Sequence, residues 1–292
     1  MKEEITKSDL VSDIRAVGVS EGDLLNIKGS MKSIGWVKGG PTTVVDALLE
    51  AVGPEGTLVT DAFVPSYPLP LSEDDRRKVN RPDTPSYAGA LANIMVTHPE
   101  SWRSPHPIQK FAAIGKRAEE LTQGFTIDCP AYGLLSVMAE TGGKNFKIGD
   151  DVQVPGVGTT HVVIERLGIK RNRLPQGAMW ERPDGTEEFF KIFWAGGCWQ
   201  AWLKFYPEYK KVGAVLGSGT VGKGPALLTD MAKTLNWEAE ALERDPTLLL
   251  CGRSSCRTCY LEWEFSTGSK LVWALKRLWN RVCNLVKRSG DR

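Results

Sequence analysis

Three histidines, His98, His106 and His161, are the whole imidazole supply of this 292-residue chain. Proton transfer near neutral pH is therefore confined to few positions. His161 follows the turn Gly156-Val157-Gly158, and Glu165 stands four residues beyond it, a spacing that places both side chains on one face of a helix. Such a pair suits general-base work, in which an imidazole oriented by a carboxylate takes a proton from a reacting group. His106 lies between prolines in Arg103-Ser104-Pro105-His106-Pro107, while His98, in Thr97-His98-Pro99-Glu100, reads as a helix end. A second constellation, Cys251-x4-Cys256-x2-Cys259, is too tight for an ordinary disulfide framework and reads as metal ligation that needs a fourth donor.

The elements that must position these groups begin at Asp23 to Ile27, a short apolar run fit for a buried strand, which leads into a turn with glycines at 29, 35, 39 and 40. Pro41 suits a first helical turn, Thr42 or Thr43 can cap, and Val44, Val45, Leu48 and Leu49 form an apolar stripe. Backbone amides at such a strand-to-helix junction attract phosphate or a developing oxyanion. Further helices are expected over 7–17, 87–96, 116–121, 132–141 and 223–243, with strands at 57–62, 146–148 and 152–154. Pro65 to Pro85 reads as a long surface excursion, and Pro183-Asp184-Gly185 as a hairpin turn flanked by Met179-Trp180 and Glu188-Phe189-Phe190. This alternation predicts an α/β fold with a central mixed sheet flanked by helices.

Composition agrees with a globular enzyme: 41% of residues are hydrophobic and 25% charged, enough to bury a substantial core. A net charge of +2 predicts no nucleic-acid partner. With an acidic start at Met1-Lys2-Glu3-Glu4 and no long apolar run, the expected location is the cytoplasm. Residues 269–292 stand apart as a basic amphipathic tail, in which Leu271, Leu275, Leu278, Val282 and Leu285 recur at helical spacing between lysines and arginines. Such a helix packs on its own domain, on a second copy in a homodimer, or on an anionic membrane surface.

Three ordered stretches resemble the aminoglycoside 3-N-acetyltransferase family. Ser30 with Ile34-Gly35, Gly39-Gly40-Pro41 and Val52-Gly53-Pro54-Glu55-Gly56-Thr57 is similar to the family's opening. Arg103 to Pro107 with Phe111-Ala112-Ala113-Ile114-Gly115 resembles its second motif, and Gly156 to Glu165 its third. The resemblance spans roughly residues 1–259 and implies an acetyltransferase domain over 1–268. It implies transfer of acetyl from acetyl-coenzyme A directly to an amine of an aminoglycoside, and thus antibiotic resistance. Other readings are an amino sugar of polysaccharide or natural-product assembly, or a coenzyme A-binding homologue with altered or lost catalysis. His161 becomes the general base, Glu165 its orienter and His106 a further member of the site.

The same resemblance assigns Lys28, Gly29, Ser30, Met31, Lys32, Ser33, Ile34, Gly35, Gly39, Gly40 and Ser104 to the cofactor. Relatives read His-Ser-Ser where this chain has Lys28-Gly29-Ser30, which suits Lys28 to a coenzyme A phosphate or a substrate acid. The excursion mixes Glu73, Asp74, Asp75 and Asp83 with Arg76, Arg77, Lys78 and Arg81, a pattern not tuned to a polycation. Similarity to the apramycin-acting branch makes Cys198 the fourth ligand of a structural zinc, closing a C-terminal cysteine knuckle with Cys251, Cys256 and Cys259.

Overall fold

The computed structural model describes residues 4–149, 157–169, 175–192, 197–253, 255–263 and 275. Helix α1 (Lys7–Val17) opens with Thr6 as its cap. The Thr6 hydroxyl accepts from the Asp9 amide and the Asp9 carboxylate accepts from the Thr6 amide, a reciprocal capping box. Strand β1 (Leu24–Gly29) then runs through the short helix α2 (Met31–Ile34) into α3 (Gly40–Val52) and β2 (Thr57–Asp61). Gly39 and Gly40 hold φ of 82° and 69°, the left-handed values that let the chain reverse into α3.

The excursion contains β3 (Tyr67–Pro68), α4 (Glu73–Arg76) and β4 (Val79–Asn80). After it come α5 (Ala90–Thr97), β5 (Trp102–Arg103), β6 (Phe111–Gly115), α6 (Ala118–Gln123), α7 (Gly133–Glu140), β7 (Lys144–Ile148) and α8 (Val157–Arg166). The hairpin forms as its turn predicts, from β8 (Gln176–Glu181) to β9 (Glu187–Ile192). The described chain then continues through α9 (Trp199–Trp202), α10 (Phe205–Lys211), β10 (Val215–Val221), β11 (Gly224–Asp230) and α11 (Met231–Arg244).

Seven strands form the central sheet in the order β10-β11-β7-β1-β2-β6-β5. The inner strands β7, β1 and β2 run parallel and the flanking pairs antiparallel, so the sheet is mixed as expected. One face packs on α1, α3 and α5 through Leu10, Ile14, Val44, Leu48, Leu91 and Met95. The other packs on α6, α7, α8 and α11 through Leu121, Leu135, Val163, Met231 and Leu235. The α/β layering is thus the predicted one, helices on both faces of a sheet.

The expected helix over 223–243 is corrected in its first third. Gly224 to Asp230 is strand, pairing antiparallel with β7, and the helix begins only at Met231, capped by the Asp230 carboxylate on the Lys233 amide at 3.0 Å. Ala226, Leu227 and Leu228 are all buried because both faces of β11 are covered, which erases the alternation that marks a strand. The strand expected at 152–154 lies outside the described residues, as does the tail over 269–292 apart from Leu275. Among the described residues no helix is long and apolar enough to cross a membrane.

Candidate active site and cysteine cluster

Parallel strands put side chains of equal register in rows, and here the last row carries charge. Lys28 pairs in register with Lys147 of β7, and continuing the Asn26↔Val59 register sets Asp61 of β2 on its other side. The Lys28 ammonium meets the Asp61 carboxylate at 2.6 Å, while Asp61 Oδ1 is buried without a hydrogen-bond partner among the described residues. These groups and Ser30 line a cavity of about 270 Å³ at the carboxyl ends of β1, β2 and β7, where open α/β sheets place their ligands. One row below on the same face, Asn26 donates to Asn145 at 2.8 Å. The first turn of α8 lies on that pair: a Cβ at Gly158 would sit 3.3 Å from Asn26 Nδ2 and 3.2 Å from Leu135, a tight approach that a larger side chain would keep only if those neighbours gave way. Rows on one face are about 6.6 Å apart, so α8 packs one row below the charged one, and none of its described residues lines the cavity.

His161 stands on α8 with 7% of its surface exposed. Its ring lies 4.7 Å from that of Tyr132 and meets Trp202 edge-on at 5.5 Å. Burial, followed by the Asp61 charge, raises the Tyr132 phenol far above the usual value. The expected orienting role of Glu165 is corrected. Its two oxygens accept from the backbone amides of Ala131 (2.9 Å) and Tyr132 (3.2 Å), so it ties down the segment that leads into α7. Burial raises its carboxyl above the ordinary value, opposed by those same two bonds. Glu165 thereby fixes Tyr132, and Tyr132 rather than the carboxylate is the ring seen against His161.

His106 is corrected as well. Its Nδ1 accepts from the amides of Ile108 (3.3 Å) and Gln109 (3.1 Å), and its ring stacks on Phe125 with Phe190 at its edge. Burial, with the Lys110 charge second, pushes its pKa down to about 3, which leaves no basicity for chemistry near neutral pH. Because the folded value is depressed, the stability it contributes is complete above pH 6.5 and is lost as pH falls toward 3. Between pH 7 and 5 the denaturant midpoint of His106→Asn, whose amide oxygen can replace the Nδ1 acceptor without titrating, should therefore rise relative to that of the parent.

The eleven residues expected at the cofactor divide. Lys28, Gly29 and Ser30 line the cavity, and Ser30 caps α2 by accepting from the Ser33 amide at 3.3 Å. Met31, Lys32, Ser33 and Ile34 form α2, whose Ile34 is buried in the core. Gly35 to Gly40 turns away to meet the N-terminal segment, where the Lys38 amide donates to the Ile5 carbonyl at 3.0 Å. Ser104 is corrected: its buried hydroxyl accepts from the Phe111 amide at 2.9 Å and joins β5 to β6. The sequence reading passed over Asp61, Lys147, Tyr132 and Trp202. Only Asp61, a charge ending an apolar strand, left a local signal.

Cys198 joins Cys251, Cys256 and Cys259 as expected, all four sulfurs lying within 4.8 Å of one another. Cys198 and Cys256 Sγ are 3.6 Å apart, and the Cys251 amide donates to Cys259 Sγ at 3.1 Å. Four thiols converging with a backbone N–H on one sulfur fit a tetrahedral metal, whose ligand sulfurs stand about 3.8 Å apart at a ~2.3 Å metal–sulfur distance. Cys198 also caps α9, whose last residue is the Trp202 that meets His161.

Comparison with known proteins agrees with this architecture. The sequence profile described as Aminoglycoside 3-N-acetyltransferase matches residues 27–243. Aminoglycoside N(3)-acetyltransferase VIII of Streptomyces fradiae is 33% identical over 159 residues, 49% of this chain and 54% of that one. Aminoglycoside N(3)-acetyltransferase III of a Salmonella species is 37% identical over 130 residues, 40% and 46% of the two chains. The chain thus spans about half the length of the curated relatives it matches. Among solved structures, AAC-IIIb binary with CoASH aligns with a TM-score of 0.70 at 23% identity, over 83% of this chain and 97% of that one. AAC-VIa bound to sisomicin aligns at 0.69 and 25% identity, over 83% and 98%.

Proposed function

We propose that this chain, which belongs to the aminoglycoside 3-N-acetyltransferase family, transfers the acetyl group of acetyl-coenzyme A directly to an amine of an aminoglycoside or related amino sugar, with His161 as general base. What supports this reading is the family match over 27–243, together with an almost buried imidazole on α8 packed between the rings of Tyr132 and Trp202. The ammonium gives one proton to the imidazole, the neutral nitrogen attacks the thioester carbonyl to form the amide bond, and the carbon–sulfur bond breaks as coenzyme A leaves as a thiolate that takes up the second proton lost by nitrogen. Tyr132 and Trp202 pack against that ring, at 4.7 Å and edge-on at 5.5 Å.

Within this reading Lys28 serves the cofactor. Lys28 lines the cavity and is ion-paired with Asp61, and a cation at that place suits an anionic group such as a coenzyme A phosphate more than a polycation. Lys28→Met should raise KM for acetyl-coenzyme A about tenfold while kcat stays within about twofold, as loss of uniform binding requires. Steady-state kinetics with each substrate varied in turn measures this. The four cysteines are proposed to hold a structural zinc, which would tie 251–259 to the start of α9.

Thiol release from acetyl-coenzyme A, followed with a panel of aminoglycosides and amino sugars, tests the function. Turnover with at least one acceptor is expected. Binding of coenzyme A without turnover on any acceptor would instead establish a homologue that has lost catalysis.

A further inference from the structure

The residue that ties down the first turn of α8 belongs to another helix. Glu238, on α11, is completely buried, and its Oε1 accepts from the Thr160 hydroxyl at 2.5 Å and from the Tyr209 phenol. Its Oε2 has no hydrogen-bond partner among the described residues. One position earlier on α8, Thr159 donates to the Thr234 hydroxyl at 3.1 Å, and Thr234 donates to the Met231 carbonyl at 3.1 Å. The two hydroxyls just before His161 are thus both fastened to α11, in an interface otherwise made of Val163, Leu235, Met231 and Leu242. An apolar side chain would fill the Glu238 position at lower cost, since a buried carboxyl forfeits its hydration. What the carboxyl adds is direction: one acceptor oxygen fixes two hydroxyls, and so the rotation of α8 about its axis.

We propose that Glu238 is a positioning residue for the transfer reaction, holding the first turn of α8 through Thr160 and thereby setting the angle of the adjacent His161 imidazole between Tyr132 and Trp202. The inference rests on the reading of His161 as base. Near neutral pH the carboxyl keeps a share of its proton, because burial raises its pKa to about 7, and the groups that face it are the hydroxyls of Thr159, Thr160 and Tyr209. A glutamine can therefore stand in for it.

The test compares Thr160→Val, which keeps the shape and removes the hydroxyl, with Thr160→Ser and Glu238→Gln, which keep the hydrogen bond. Thr160→Val should lower kcat about tenfold, with KM for acetyl-coenzyme A held within about twofold, and should shift the His161 ring signals in nitrogen-correlated NMR. Thr160→Ser and Glu238→Gln should stay within about threefold of the parent and leave those signals in place. Equal losses of Tm in the two Thr160 variants, with kcat and the His161 signals at parent values in both, would reduce the contact to packing. An inactive His161→Ala beside a fully active Thr160→Val overturns this proposal alone. A fully active His161→Ala overturns the base assignment and this proposal with it.

Discussion

His161→Ala lowers kcat for acetyl transfer by about 10²- to 10⁴-fold at pH 7.5, the range spanned by loss of a positioned general base. KM for acetyl-coenzyme A should change little, because the imidazole packs against Tyr132 and does not line the cavity that Lys28 and Ser30 line. The deficit should shrink as pH rises toward 9, where more of the acceptor amine is already neutral and needs no base. Rates for parent and variant across pH 6.5–9, with thermal melts to show that the ring's removal leaves the fold in place, provide the measurement. A deficit that stays constant with pH would mean that His161 shapes the site without taking the proton.

Cys259→Ser is the second large effect, and it falls on folding. Cys259 and Cys198 are the buried pair of the four-sulfur cluster, and Cys259 Sγ also accepts the Cys251 amide. Replacing one thiolate by a hydroxyl breaks a tetrahedral site and leaves the remaining thiols crowded without the charge that would hold them together. The parent protein should carry close to one zinc per chain by elemental analysis, and the variant well under half of that. Melting should drop by more than about 5 °C, in line with a loss of several kcal/mol for a domain of this size. Because α9 starts at the cluster and ends at Trp202, chelator treatment should also disturb the His161 ring signals. A metal-free parent with an unchanged melt in Cys259→Ser would leave the cluster a set of packed thiols.

Some of the architecture is legible in local chemistry. The Pro41 start of α3, its apolar stripe and the Asp-Gly turn between β8 and β9 each appear where residue types placed them. The cysteine spacing announced a cluster, and the fourth member came from a resemblance that the sulfur positions match. The misreadings have a common cause. β11 reads as helix in the sequence because burial on both faces removes the alternation that distinguishes a strand. Glu165 was paired with His161 because i,i+4 spacing fixes only the face, and the amides of Ala131 and Tyr132 compete for the carboxylate from a segment more than thirty residues away. His106 carries motif residues on both sides, yet its lone pair is spent on its own loop.

By itself, then, the sequence determined the family, the α/β class, the strand-turn-helix opening and the small set of side chains able to move a proton or hold a metal. These are matters of residue type and short spacing, which the chain carries before it folds. Tertiary structure decided which of them meet. Strand register, a long-range property, set Asp61, Lys28 and Lys147 in one row. Helix packing set Tyr132 and Trp202 around His161 and hung the first turn of α8 from Glu238. Contacts across 29 to 119 residues of chain, from Tyr209–Glu238 to Asn26–Asn145, leave no periodic trace, because each partner satisfies only local rules until the fold brings them together.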